Sequence, residues 1–448
     1  MAEPELDRFR RDVYRCVDPV VCIQIATDEM KLFCINCVQS FDAADAVARD
    51  SSGNVVSLNS RRGSRLKRWM EYLDGGGDAA NRAHNVLELA ARGYKVYCPW
   101  GCEVPEQMVQ RPSRIIGIVG EPATSKTSVL VSMVTKVAND PYIAEHLTVA
   151  LSSDSSAEWG NRARLQFSGR TSVEASPGRL GLDTLNENPD HYWQNLEQRV
   201  PLVIEVTGRK ASSGGVNLVF LDVAGEETLD AEGVARMSPH LAVADQLWFF
   251  LTPNINDEIR EQLATGHTDA AESTALARNE LNQNFVRSQS MIRNVARLWK
   301  VANNRPPDSR VGSPRLTVLV ALAKADQLTQ VRLNDSKINE LIARVAPPND
   351  WITSNSVQAN LYSPNEIAAR SEDTCEIVKR LYPQIANSIL DSFPEAVFVP
   401  VAATGNPARS ANPDDPSATR KYQAVKPYGV IDLFIAATSD IRELGVSE

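Results

Sequence analysis

The chain has 448 residues, 43% of them hydrophobic and 23% charged, a composition that buries a sizeable core and excludes a disordered chain. A formal net charge of -9 offers no global attraction to nucleic acid or to an anionic membrane, so neither is expected as a partner. The opening MAEPELDRFRRDVYRCVDP lacks the uninterrupted apolar stretch of a secretory signal, and no apolar run approaches the roughly 20 residues that span a bilayer; a soluble, cytoplasmic protein is expected.

Residues 1–112 hold six of the seven cysteines, namely Cys16, Cys22, Cys34, Cys37, Cys98 and Cys102. Cys34-Ile-Asn-Cys37 and Cys98-Pro-Trp-Gly-Cys102 each offer two thiolates near enough to grip one metal ion. Four sulfurs complete a closed tetrahedral zinc site, which serves structure because no coordination position stays open. The second pair is one residue wider than usual and the stretch between the pairs is long, so buried or unpaired thiols are the alternative. KLFC and KVYC read as paired strands leading into the two knuckles, with a partly helical excursion between them. Cys16, Cys22 and Cys375 read as core cysteines, and His84 as a helix-surface residue, with a substitute ligand as the alternative.

After the polar connection VQRPSR (109–114), apolar β-rich runs alternate with helix-like segments: RIIGIVG, LTVALSSD, PLVIEVTGR, VNLVFLDVAG, DQLWFFLTP, RLTVLVALAKAD and AVFVPVAATG. Continuous apolar runs of this kind predict a largely parallel sheet covered by helices on both faces, an α/β domain over 113–448. Residues 152–200 read as a long polar loop. Residues 255–303 are rich in helix formers and predict one or two amphipathic helices. A Pro/Ser/Asp loop (406–423) precedes a last short helix near GVIDLFIAAT.

Within this domain GIVGEPATSKTSVLVSMV nearly reads as a phosphate-binding loop. Such a loop needs a buried strand, a turn with inward N–H groups, a lysine for the outer phosphates and a hydroxyl for Mg2+. RIIGIV supplies the strand, and Gly120, Glu121, Pro122, Ala123, Thr124 and Ser125 the turn. Lys126 brings the amine and Thr127 the hydroxyl; Ser128 follows in a helix from about Thr127 to Val137, whose N-terminus lies under the phosphates. Ser125 stands where the pattern has its second glycine, and serine keeps the turn if its backbone is near-helical there. An ordinary strand, turn and helix is the alternative.

Three further strand ends fit the same chemistry. VNLVFLDVAGEE places Asp222 to hold Mg2+ through water and Gly225 to offer its N–H to a γ-phosphate. VLVALAKADQL ends in Lys324-Ala325-Asp326, where the carboxylate can accept from N1–H and N2–H2 of guanine while Lys324 lies along the purine. Adenine has no such donor pair. VFVPVAATG offers a backbone N–H near Ala403 for the guanine O6.

These four elements, in this order, resemble the phosphate-loop GTPases of the Ras and translation-factor (TRAFAC) class, over Arg114 to the C-terminus. With the cysteine-rich region before them they resemble most the bacterial double-GTPase family of conflict-system GTPases, in which a treble-clef-like finger often precedes the GTPase domain. The resemblance implies GTP as ligand, Mg2+ on Thr127 and Asp222, structural Zn2+ on Cys34, Cys37, Cys98 and Cys102, and slow hydrolysis that resets a switch read by a protein partner. Lys126 and Glu226 would be the catalytic residues, Glu226 standing where Ras-like enzymes carry a water-orienting glutamine. Ala323 and Ala402 replace an asparagine or threonine and a serine of the family motifs, which implies weaker base affinity. The switch threonine falls in the polar loop, at Thr184 or Thr171. Two other readings stay open: an ATPase of the same fold, and an inactive scaffold in which Ser125, Ala323 and Glu226 mark a decayed site.

Overall fold

The computed structural model describes residues 31–34, 37, 39–56, 86–121, 124–151, 159–161, 163, 201–209, 215–222, 238–265, 273–303, 305–306, 316–348, 364–405, 409–410, 420–421 and 425–439. The chain divides into two compact units, Met1–Ser113 and Arg114–Glu448.

In the first unit, strands β1 (Lys31–Cys34) and β2 (Gln39–Asp42) form an antiparallel hairpin with Cys34 opposite Gln39. Strands β3 (Val47–Arg49), β4 (Val55–Val56), β5 (Lys95–Tyr97) and β6 (Glu103–Val104) form a second antiparallel sheet in the order β4-β3-β5-β6. KLFC and KVYC therefore do not pair with each other; each belongs to its own sheet. Leu32, Phe33, Phe41, Ala48, Val96 and Val104, with Met108 and Val109 of the short helix α1 (Glu106–Gln110), are buried.

The second unit is built on a seven-stranded sheet in the order β13-β12-β11-β7-β10-β9-β8. Its strands are β7 (Ser113–Gly120), β8 (Leu147–Leu151), β9 (Leu202–Gly208), β10 (Val216–Asp222), β11 (Gln246–Leu251), β12 (Thr317–Ala323) and β13 (Val397–Val401). The β7–β11, β11–β12 and β12–β13 pairs are parallel, whereas β8–β9 and β9–β10 are antiparallel. The expected parallel sheet thus carries an antiparallel flank. β9 reports it in its burial: Ile204, Val206 and Gly208 are buried while Glu205 and Thr207 are half-buried, the alternation of a strand near a sheet edge.

Both faces of the sheet are covered. Trp248 and Phe250 of β11 join Ile116, Ile118, Leu319 and Ala321 in one apolar layer with α2 (Lys126–Val137) and α9 (Val430–Thr438). Phe249 and Leu251 point the other way, with Val119, Val320 and Leu322, against α5 (Ser273–Ala302), α6 (Ser336–Val345) and α8 (Pro383–Ser392). Strand side chains alternate between faces, so a strand buried on both sides reads as an uninterrupted apolar run. The remaining helices are α3 (Pro141–His146), α4 (Asp257–Thr265) and α7 (Pro364–Leu381). α4 and α5 fall within the stretch 255–303 expected to be helical. No helix among the described residues is long and apolar enough to cross a membrane.

α9 starts where β13 ends, through a tight contact. Gly429 has φ 70, and a Cβ built there would lie 1.9 Å from the Pro400 carbonyl oxygen. Only glycine combines that backbone with that approach. Gly429→Ala is therefore expected to destabilise the Arg114–Glu448 unit by about 2–4 kcal/mol, read as a lowered midpoint in denaturant unfolding; an unchanged midpoint would contradict the contact.

Candidate functional site

From β7 the chain runs through α2 and α3 to β8, β9 and β10 on one side of β7, and then crosses to β11, β12 and β13 on the other. The reversal occurs beside β7. In open α/β sheets the crevice outside the carboxyl ends of the strands at such a point is where ligands bind. The pairing register brings the strand ends level: Gly120 lies opposite Phe250, Leu251 opposite Leu322, and Ala323 opposite Val401.

The turn from β7 into α2 is held by its own atoms. The Thr124 hydroxyl donates to the Glu121 carbonyl at 2.8 Å, and Lys126 Nζ donates to the carbonyls of Gly120 at 2.8 Å and Glu121 at 3.0 Å. Lys126 is buried and folded over the turn. Gly120 allows close passage, since a Cβ there would come within 2.9 Å of Phe250. The near-helical backbone under which serine would keep the turn is not the one found: Ser125 has φ 66 and ψ 20, in the left-handed region. Reversing the chain into α2 requires positive φ, which glycine adopts freely and serine at a cost of about 1–2 kcal/mol.

Thr127, in the first turn of α2, donates its hydroxyl to Asp222 Oδ2 at 2.6 Å. Residues 95 positions apart thus meet at one point, a hydroxyl against a carboxylate oxygen. Further along the edge, Lys324 is also left-handed, with φ 55, and Asp326 is 8% exposed. Burial pushes the Asp326 carboxyl up to about 6, with its own backbone N–H and Lys324 opposing. Burial also lowers the Lys324 ammonium against the pull of Asp326. The turn after β13 is tied to α2, because Ser132 Oγ donates to the Ala403 carbonyl at 2.6 Å.

Two contacts here had no sequence signature: Ser132 with Ala403, and the buried Ser288 hydroxyl of α5 with the Glu121 carboxylate. A single serine on a helix leaves no pattern to read. Ser128 begins α2 with Lys126 and Thr127. Pro122, Ala123, Gly225, Glu226, Thr171 and Thr184 lie outside the described residues.

In the first unit Cys34, Cys37, Cys98 and Cys102 converge, with their Sγ atoms all within 4.8 Å of one another. The Cys37 sulfur lies 3.7 Å from that of Cys98 and 3.3 Å from that of Cys102. Tetrahedral zinc with Zn–S of about 2.3 Å spaces its sulfurs by about 3.8 Å, so the cluster fits such an ion with little adjustment. In each pair the second cysteine's N–H donates to the first one's sulfur, Cys37 to Cys34 at 3.4 Å and Cys102 to Cys98 at 3.3 Å. Gly101, at φ 89, absorbs the extra residue of the wider pair. Burial pushes the Cys34 thiol up to about 11 and raises Cys37 further, while Cys98, despite burial, is lowered by the N–H groups of Cys102 and Trp100. These four residues could hold a metal ion such as zinc. Cys16, Cys22 and His84 are outside the described residues, and Cys375 is half-buried on α7 against the core.

The class these observations define is an α/β protein with a seven-stranded, mostly parallel sheet, preceded by a four-cysteine cluster able to hold a metal. No protein-family model matches the chain, and no curated protein matches it.

Two measurements follow from this geometry. Chelation is expected to release one metal ion per chain, to make four thiols newly titratable and to unfold the first unit; intact structure in a fully metal-free chain would count against a structural cluster. For Asp326, burial raises the folded carboxyl to about 6 from its ordinary 3.8. The folded state thus holds the proton more tightly, and stability falls as pH rises between those values. Asp326→Asn should match the parent below pH 3.8, gain progressively up to pH 6, and stay ahead by about 2–3 kcal/mol above it. A pH-independent difference in unfolding free energy would refute the burial of that charge.

Proposed function

We propose that the Arg114–Glu448 unit is a P-loop, guanine-nucleotide-binding domain that hydrolyses GTP slowly with Mg2+ and acts as a switch for a protein partner, behind a zinc-stabilised finger. The observation that carries this reading is the meeting of Thr127 and Asp222 at 2.6 Å beside the β7 turn, on the strand edge that also bears Asp326. An ordinary strand, turn and helix has no reason to bury a lysine over its turn and to set the next residue's hydroxyl against a carboxylate from another strand.

Each residue then has a task. Lys126 exchanges the carbonyls of Gly120 and Glu121 for the outer phosphates, whose charge it offsets. Thr127, and Asp222 through water, would hold Mg2+, which when bound would neutralise phosphate charge. Asp326, ionised above the value of about 6 to which burial raises it, would accept from the two N–H donors of guanine and so regain partners for its charge, while Lys324 would cover the purine and the Ala403 turn would lie by O6. In hydrolysis a water oxygen attacks the γ-phosphorus in line, the bond to the β–γ bridging oxygen breaks, and GDP, phosphate and a proton leave. Gly225 and Glu226, following Asp222 in the chain, would meet the γ-phosphate and the water or a partner's arginine. Thr184 would answer the metal in the triphosphate state. The cellular setting that goes with the double-GTPase resemblance is a bacterial conflict system.

Calorimetric titration tests this directly. The purified chain should bind GTP with Mg2+ more tightly than ATP, and Lys126→Ala should weaken GTP roughly 10- to 100-fold and abolish phosphate release, the loss of charge-assisted bonds to phosphate. ATP bound as tightly as GTP would replace the guanine reading with an ATPase. Failure to bind either at millimolar concentration, or phosphate release indifferent to Lys126, would leave only a scaffold.

A further inference from the structure

A carboxylate inside a phosphate-binding turn is an electrostatic liability, because it competes with phosphate for Lys126 and repels the phosphates themselves. Glu121 is such a carboxylate, 5% exposed and next to Gly120. Its Oε1 accepts a hydrogen bond from Ser288 Oγ, which is 1% exposed, so the contact is dry. Ser288 belongs to the buried stripe of α5 formed with Met291, Ile292, Val295, Ala296 and Trp299, whose spacing is that of one helix face. That face fixes the rotation of α5 and aims Ser288 at the sheet. Near its C-terminal end the same helix, with the residue that follows it, grips the segment entering β11: Trp299 Nε1 donates to the Ala244 carbonyl at 3.0 Å, and Asn303 Nδ2 to that of Ala242 at 3.0 Å. One rod therefore touches both the β7 turn and the chain leading from the Asp222 strand into β11.

We infer that Ser288 is a positioning residue that holds the Glu121 carboxylate on the α5 side of the turn, away from Lys126 and the phosphates, and so couples the seating of α5 to phosphate occupancy. This rests on the phosphate-binding reading above. The coupling is reciprocal: a partner that shifts α5 alters triphosphate affinity, and bound triphosphate tightens α5 against the turn.

The test uses the full chain, with Mg2+ and inorganic tripolyphosphate as probe beside GTP. Ser288→Ala should weaken both by the same factor, roughly tenfold, within the range of allosteric couplings. Glu121→Gln in that background should restore affinity to within about twofold of the parent, because the amide does not compete for Lys126. In the parent, tripolyphosphate should raise amide-exchange protection along α5, and in Ser288→Ala that rise should vanish. A Ser288→Ala protein with unchanged tripolyphosphate affinity and only a lower unfolding midpoint overturns the inference. If the parent binds neither probe, the phosphate-binding reading itself has failed.

Discussion

β7 is buried from Ile115 to Gly120 and flanked on both edges by other strands, so its backbone groups are satisfied within the sheet until the chain leaves at Gly120. Its start is pinned as well. Ile115 donates to the Asp245 carboxylate at 2.8 Å, and the Asp245 N–H returns a bond to the Ile115 carbonyl at 2.9 Å. A strand so constrained cannot slide without moving its residues to the wrong face. The place where α2 begins, and with it the positions of Lys126 and Thr127, is set by this register.

The sheet was legible in the sequence because strands buried on both faces, such as Gln246–Leu251 and Thr317–Ala323, appear as unbroken apolar runs. The antiparallel flank was not, because direction is decided by pairing rather than by composition, although Glu205 and Thr207 left a trace of alternation. Within the site, short-range order was readable: Lys126-Thr127 after a strand, Asp222 and Asp326 at strand ends. Contacts across long separations were not. Ser132 with Ala403 spans 271 residues and Ser288 with Glu121 spans 167, and neither serine belongs to a repeated spacing.

The cysteine cluster illustrates the same division. The two pairs were visible, but whether a five-residue turn could match a four-residue one depended on backbone geometry. Gly101 in the left-handed region lets Cys98-Pro-Trp-Gly-Cys102 close so that Cys102 still donates to Cys98. The four sulfurs then present a donor set that as thiols is ill at ease. Cys34 and Cys37 are driven up by burial while Cys98 is drawn down by backbone N–H groups. A dication would resolve that opposition, since it binds thiolates and sets its two positive charges among them in place of protons.

Strain gives the independent argument for where function resides. Among the described residues the non-glycine positions with positive φ are Ser125 and Lys324, and every other such position is a glycine. Both lie just beyond strand ends on the carboxyl edge of one sheet, beside the turn that buries Glu121 and the turn that buries Asp326. A turn selected only to connect a strand to a helix would remove the strain with glycine and the buried charge with an apolar residue. Retaining two left-handed side chains and two buried carboxylates along one edge is locally unfavourable at each point, and such conflicts persist where the side chains themselves are used. The same edge is where the strand order reverses, so topology and strain, which share no common cause, point to one place.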